Sequence, residues 1–436
     1  MRRDRTVPRH AILREVSARL WGTYGRRPLV VLCLVAFVDA VDRGILPGVL
    51  SDVQDDLGFS DFQAGLLGTA FVLASFVVVV PAGYLADRTA RTKTIAIVLA
   101  SWGVLSMVTA TVTGFAQFLA VRALLGVGET VDNPASQSLI ADYYPAQSRG
   151  RAYAWQRAAP LFGTAIGTAI GGLVAALTSW RWAFVLVGMP GSIVAILCWR
   201  LPQPERGESD GAVASGGEAR RARDDVRAVL AVLALRALMT GTAIASGALA
   251  GIGFWAPSFY DRHTSLSKDQ AAGIVGGLIL LGAIAGTLIG GSLLGHLAGR
   301  HRSAAMRLTA MTQSIGGVAL LIVFLDVPLG VRIVMSFIGT AFVVAGFPAL
   351  NALTAGLVPA PLRGMAFSVT GFFTALAGAA SPLLIGFLAD RFEYTVDGEV
   401  KGDLARAFLL VTPLLFVGAG VLWRGRDLTE EPTAAT

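Results

Sequence analysis

The chain has 436 residues, 54% of them hydrophobic and only 15% charged, with a mean hydropathy of +0.64. Soluble domains carry about a quarter charged residues, so an ordinary water-soluble protein is excluded. The net charge of +7 raises nucleic acid as a partner, but the arginines stand at the ends of apolar runs, a pattern that belongs to membrane topology.

Residues 1–27 form a basic leader. No small-residue cleavage site follows a short apolar core there, so no signal peptide is read. From Pro28 onward, apolar runs of about 20 residues recur twelve times, centred near Phe37, Leu73, Leu105, Gly128, Gly163, Gly191, Gly241, Leu281, Gly317, Phe342, Ala375 and Leu414. Cys33 and Cys198 fall inside such runs and read as packing residues.

The first span contains VDAVDRGILPG, which places Asp39, Asp42 and Arg43 in an apolar helix. Each charge costs about 3 kcal/mol at the centre of a membrane. The spacing i, i+3, i+4 puts all three on one face, and that face must look into the protein. In the fourth span Arg122 and Glu129 are two helical turns apart, about 10 Å along one side, and Asp132 and Asn133 extend the stripe. Ionisable groups inside spans mark function by default. Arg157 in the fifth span is a second candidate for a headgroup, with snorkelling to the interface as the other reading. In the same span Gly163, Gly167 and Gly171 recur every four residues, the pattern of a close helix contact. Trp255 in the seventh span, with Gly251, Phe254 and Phe259 beside it, offers an apolar wall to a cavity; ordinary packing is the alternative for each aromatic. Phe342, Phe347, Phe372 and Phe373 join them from later spans.

Gln203–Asp225 is rich in Gly, Ser, Ala and charge and reads as a flexible linker. It separates a half at 28–202 from a half at 226–424, with a tail at 425–436. The halves echo one another: GYLADR from Gly83 recurs as GHLAGR from Gly295, and PAQSRGRAY from Pro145 recurs as PAPLRGMAF from Pro359. The fold expected is an all-α membrane protein of twelve transmembrane helices in two pseudo-symmetric six-helix bundles. Such repeats suit alternating access around a central site. About 25 of the 36 Lys and Arg fall on the side that carries both termini and about 6 on the other, which predicts cytoplasmic termini. Composition rich in Ala, Gly and Arg points to a bacterial inner (plasma) membrane.

GYLADRTARTK, after the second span, resembles the signature loop of the major facilitator superfamily. The resemblance implies that Gly83, Asp87, Arg88 and Arg91 form a conformational latch. More narrowly, DRGILPGVLSDVQDDLGFSDFQAGLLGTAF, RALLGVGET, SLIADYYPAQSRGRA, GALAGIGFWAPSFYDRH and SPLLIGFLADR are similar to the spinster family within that superfamily. That likeness implies a transporter of lysolipids or sphingoid-like lipids, in some members proton-linked, and a monomer by analogy. Asp39 stands where the family usually has Asn, and Asp132 and Asn133 where small or hydroxylic residues are usual.

Two readings of the charges follow. In one, Asp42 and Glu129 titrate, while Arg43, Arg122, Asp39, Asp132, Asn133, Arg157 and Trp255 meet an amphiphile; in the other, a static ion-pair network fixes helix packing. A second substrate class is a small organic anion or drug-like compound. No HExxH, GxSxG, Walker loop or Cys/His cluster is present, so neither an enzyme nor an ATP-driven pump is expected. No cofactor is expected beyond a proton as coupling ion. The partners expected are the substrate and membrane lipids, with no nucleic acid.

Overall fold

Backbone N–H and C=O groups inside a bilayer have no water to bond, so apolar runs fold as helices that satisfy them internally. The computed structural model describes residues 24–205, 222–297, 303–359, 362–396 and 399–429; the side chains of 77–88, 128–134, 146–147, 222, 294–297, 352, 355, 393–396 and 399–400 fall outside that description. The N-terminal half comprises α1 (Arg27–Leu57), α2 (Asp61–Arg88), α3 (Arg91–Thr109), α4 (Phe115–Tyr143), α5 (Ala146–Leu177) and α6 (Trp180–Trp199). After a linker helix α7 (Ala222–Ala231), the second half runs α8 (Leu233–His263), α9 (Lys268–Leu297), α10 (Ser303–Val323), α11 (Leu329–Ala345), α12 (Phe347–Leu357), α13 (Arg363–Ala389), α14 (Leu404–Val411) and α15 (Pro413–Gly425). Residues 222–225, read from sequence as linker, belong to α7, whose Val229 is buried against the second half.

The pairs α11/α12 and α14/α15 are each one span broken in the middle, at Gly346 and at Thr412–Pro413. Among the described residues nine spans are long and apolar enough to cross a membrane. The three others are α1, α2 and α4, which hold the buried charges of Asp42, Asp61 and Arg122 respectively. A small addition to the all-helical expectation is an antiparallel hairpin, β1 (Glu393–Val396) with β2 (Glu399–Gly402), between α13 and α14.

Local signals set the ends of the first two spans. Gly58, at φ +67°, stops α1 in the left-handed region that glycine tolerates. Two residues on, Ser60 and Gln63 form a capping box that opens α2.

Inside the first half α1 packs along α5, α2 along α4, and α3 along α6; between the halves, α2 meets α13 and α5 meets α9. The α1–α5 contact is where the glycine stripe falls. A Cβ at Gly167 would strike the Val41 carbonyl, and Gly163 and Gly171 sit against α1 in the same way. With no hydrophobic effect between helices in lipid, close backbone approach supplies the packing. Gly167→Val is therefore expected to destabilise the fold by about 1–3 kcal/mol, measured as a lower melting temperature of the detergent-solubilised protein.

The two ends of the bundle are distinct. The terminal face carries the first and last described residues, Tyr24 and Thr429, and α7. The distal face carries the turns after α1, α3, α5, α8 and α10 and the β-hairpin.

Candidate functional site

Between the halves lies a cavity of about 620 Å³, walled by α1, α2 and α4 on one side and by α8 and α13 on the other. Among the described residues its charged lining is Arg43 and Arg122, both from the first half. The second half presents Phe254, Pro382, small residues and the hydroxyls of Ser246 and Thr374.

Arg122 is 2% exposed. Nη1 reaches Asp42 Oδ2 at 3.5 Å, while Nε and Nη2 have no hydrogen-bond acceptor among the described residues. The guanidinium lies over the rings of Phe184 and Phe118, at 4.9 and 5.5 Å from their centroids. Cation–π contact offsets part of its desolvation. Unpaired N–H groups on a buried cation nonetheless remain costly. Arg122 as a residue lines the cavity, and such donors suit an anion.

Asp42 is fully buried, and its other oxygen accepts the Ser106 hydroxyl at 2.6 Å. Arg43 instead pairs with Asp39 one turn back, at 2.6 Å. The single charged face read from the spacing thus divides: Arg43 lines the cavity with Asp39 as its ion-pair partner, and Asp42 turns toward Ser106 of α3 and Arg122 of α4. Glu129, Asp132 and Asn133 lie on α4, and their side chains fall outside the described residues.

Trp255 corrects the sequence reading. It is fully buried, and its indole N–H donates to the Pro382 carbonyl at 2.9 Å. The ring is held in the α8–α13 seam because its N–H needs a buried acceptor. Its neighbour Phe254, with no polar atom to satisfy, reaches the cavity. Arg157 is exposed on α5 and is not among the cavity-lining residues. Of the signature loop, Arg91 is buried and ties α3 to Asp142, to Ser138 at 2.7 Å and to the Pro204 carbonyl at 3.2 Å, all within the first half and its exit strand. The side chains of Asp87 and Arg88, and residue Gly83, lie in the undescribed stretch of α2.

The distal face holds a second constellation that the sequence reading missed. Arg262 donates to both carboxylate oxygens of Asp61, at 2.8 and 2.7 Å, and also to Gln54 Oε1 at 2.9 Å and the Gly402 carbonyl at 3.2 Å. Asp61 and Gln54 belong to the first half, Arg262 and Gly402 to the second. Asp390 crosses in the opposite sense and accepts the backbone N–H groups of Asp61 and Phe62 at the N-terminus of α2, at 3.0 and 2.9 Å. A carboxylate at that end also meets the positive end of the helix dipole. At the rim Lys268 bridges Asp52 and Asp55, at 3.2 and 2.6 Å, and Lys401 of the hairpin joins Asp55 at 3.1 Å. Gly386 lets α13 come this close, because a Cβ there would strike the Asp61 carbonyl. The hydrogen bonds and ion pairs described between the halves all lie from Thr69–Ala379, at 2.6 Å, toward the distal face. The cavity is closed on that side.

Comparison with known proteins gives three findings. The family model described as Major Facilitator Superfamily matches residues 32–382. Among curated proteins, the chain is 29% identical to Protein spinster of Drosophila melanogaster over 303 residues, 67% of this chain and 48% of that protein. The chain thus spans about half of that relative's length. It is also 23% identical to the D-galactonate transporter of Escherichia coli O6:H1, over 91% of this chain and 94% of that protein. Among solved structures, a bacterial homolog of the human lysosomal transporter spinster, in an inward-facing and unoccupied conformation, superposes with a TM-score of 0.82 at 21% identity, covering 94% of this chain and 98% of that one.

Proposed function

Because the chain belongs to the Major Facilitator Superfamily and is a secondary transporter, we propose that it moves an anionic amphiphile, a lysophospholipid or sphingoid-like lipid, by proton-coupled alternating access. The observation that carries this reading is Arg122. It lines a cavity whose opposite wall is uncharged and bears Phe254, and among the described residues its Nε and Nη2 have no acceptor. A phosphate or carboxylate headgroup would take those donors, and its chain would lie against the second half.

Coupling follows from sharing. Asp42 and the headgroup compete for one guanidinium, so protonation of Asp42 frees Arg122 for substrate, and substrate bound to Arg122 eases protonation of Asp42. Glu129, two turns along α4, is the second carboxylate in this scheme. Closure of the distal face sets the cavity toward the terminal face, which the Lys and Arg distribution assigns to the cytoplasm. Opening of the distal latch would then be balanced by the signature loop of Asp87, Arg88 and Arg91. The protein would act as a monomer in a bacterial plasma membrane.

The likeness to the D-galactonate transporter supports a second reading, a small sugar acid on the same arginine. Binding measured with a lysophospholipid and with D-galactonate separates the two. Phe254→Ala is expected to weaken lysophospholipid binding about tenfold, since it removes an aromatic ring from the apolar wall, and Trp255→Phe to leave it within about twofold. D-Galactonate binding that saturates, is lost in Arg122→Met and is indifferent to Phe254→Ala, with no lysophospholipid binding, would replace the lipid reading.

A further inference from the structure

Ser106, between Leu105 and Met107 on α3, is fully buried, and its hydroxyl oxygen lies 2.6 Å from Asp42 Oδ1 and 3.3 Å from the Phe184 carbonyl of α6. A serine has one proton to donate and lone pairs to accept with. Two acceptors compete for that proton. The Phe184 carbonyl can serve its own helix and one further donor, because a carbonyl oxygen carries two lone pairs.

We propose that Ser106 is a two-position hydrogen-bond switch that lets Asp42 hold and release a proton in a dry site; this rests on the reading of Asp42 as a coupling carboxylate. With Asp42 ionised, Ser106 donates to Oδ1. When a hydronium ion gives its proton to Oδ1 and departs as water, the new carboxylic O–H donates to the Ser106 oxygen, and the Ser106 proton rotates to the Phe184 carbonyl. No covalent bond of Ser106 breaks, and the proton count changes by the one on Asp42. Each polar atom therefore keeps a partner in both states, which a buried carboxylate otherwise lacks in one of them. The charged groups around the pair are few. Arg122 from α4 is at 3.5 Å, and Arg43, next along α1, is tied to Asp39. Glu129 lies further along α4. Among the described residues α3 and α6 face Asp42 with the Ser106 hydroxyl and the Phe184 carbonyl. Ser106 is thus a positioning residue for the proton, and Asp42 is its carrier.

Infrared difference spectroscopy of the full chain in lipid bilayers tests this, by titrating the carboxylic-acid carbonyl band that disappears in Asp42→Asn. Ser106→Ala removes a hydrogen bond to the ionised form, so the band is expected to appear at a pH about one to two units higher, a roughly tenfold to hundredfold gain in proton affinity. Ser106→Thr keeps the hydroxyl and is expected to titrate close to the unaltered chain. An Asp42 band whose midpoint is the same in Ser106→Ala would overturn the switch while leaving Asp42 a proton carrier. No band sensitive to Asp42→Asn between about pH 4 and 10 would overturn both, because a carboxylate that exchanges protons in a dry site titrates within that range.

Discussion

Methionine in place of Arg122 is expected to weaken binding of an anionic substrate by about two to four orders of magnitude. Nε and Nη2, which have no acceptor among the described residues, would each make a charge-assisted hydrogen bond, worth about 1.5–3 kcal/mol, and each 1.4 kcal/mol is tenfold in affinity. The same substitution leaves Asp42 buried beside Ser106 with no cation, and breaking one side of a buried pair costs about 3–5 kcal/mol of stability. Loss of binding alone would thus be ambiguous. Asp42→Asn in combination with Arg122→Met resolves it: the double variant has neither buried charge, and is expected to regain the melting temperature of the unaltered protein while still failing to bind. Recovery of binding along with stability would mean that Arg122 only holds helices together. Arg122→Lys retains the charge but offers no planar fork, so its affinity is expected to fall between the two.

Leucine at Arg262 is expected to open the distal face. Arg262 and Asp61 are 5% and 3% exposed, and their bidentate contact exists only while the halves touch there. Its loss falls on that conformation alone. A penalty of about 3–5 kcal/mol would shift the closed-to-open ratio by about two to four orders of magnitude, enough to invert a modest preference. Spin labels on Thr111 and Ser265, both exposed on distal turns of opposite halves, report it directly. The distance distribution is expected to lengthen in Arg262→Leu and in Asp61→Asn. An unchanged distribution would show that Lys268, Lys401 and Asp390 hold the face shut without the central pair.

Spans and halves were legible in the sequence because membrane helices advertise themselves by length, and the repeated loop motifs mark the duplication. Charges in apolar runs were also legible, and Arg122 and Arg43 do line the cavity. Partner choice was not. Spacing of three and four residues placed Asp39, Asp42 and Arg43 on a common face, but whether Arg43 pairs with Asp39 or Asp42 is decided by how α1 rotates against α3 and α6. Trp255 and Phe254 differ by one residue, about 100° around a helix, and only packing shows which of them meets the cavity. The distal latch joins Asp61 to Arg262 and Asp390, residues that read singly as solvated ends of spans. Ser106 carried no signal, since one hydroxyl in an apolar helix commonly bonds its own backbone.

Proton-coupled lipid transport is tested most directly by the movement of a labelled lysophospholipid into proteoliposomes holding the purified protein, with and without an imposed pH gradient, compared with Asp42→Asn. The expected result is protein-dependent movement that the gradient accelerates and that loses its gradient dependence in Asp42→Asn. Movement no faster than in protein-free vesicles, or movement whose gradient response survives in Asp42→Asn, would contradict it.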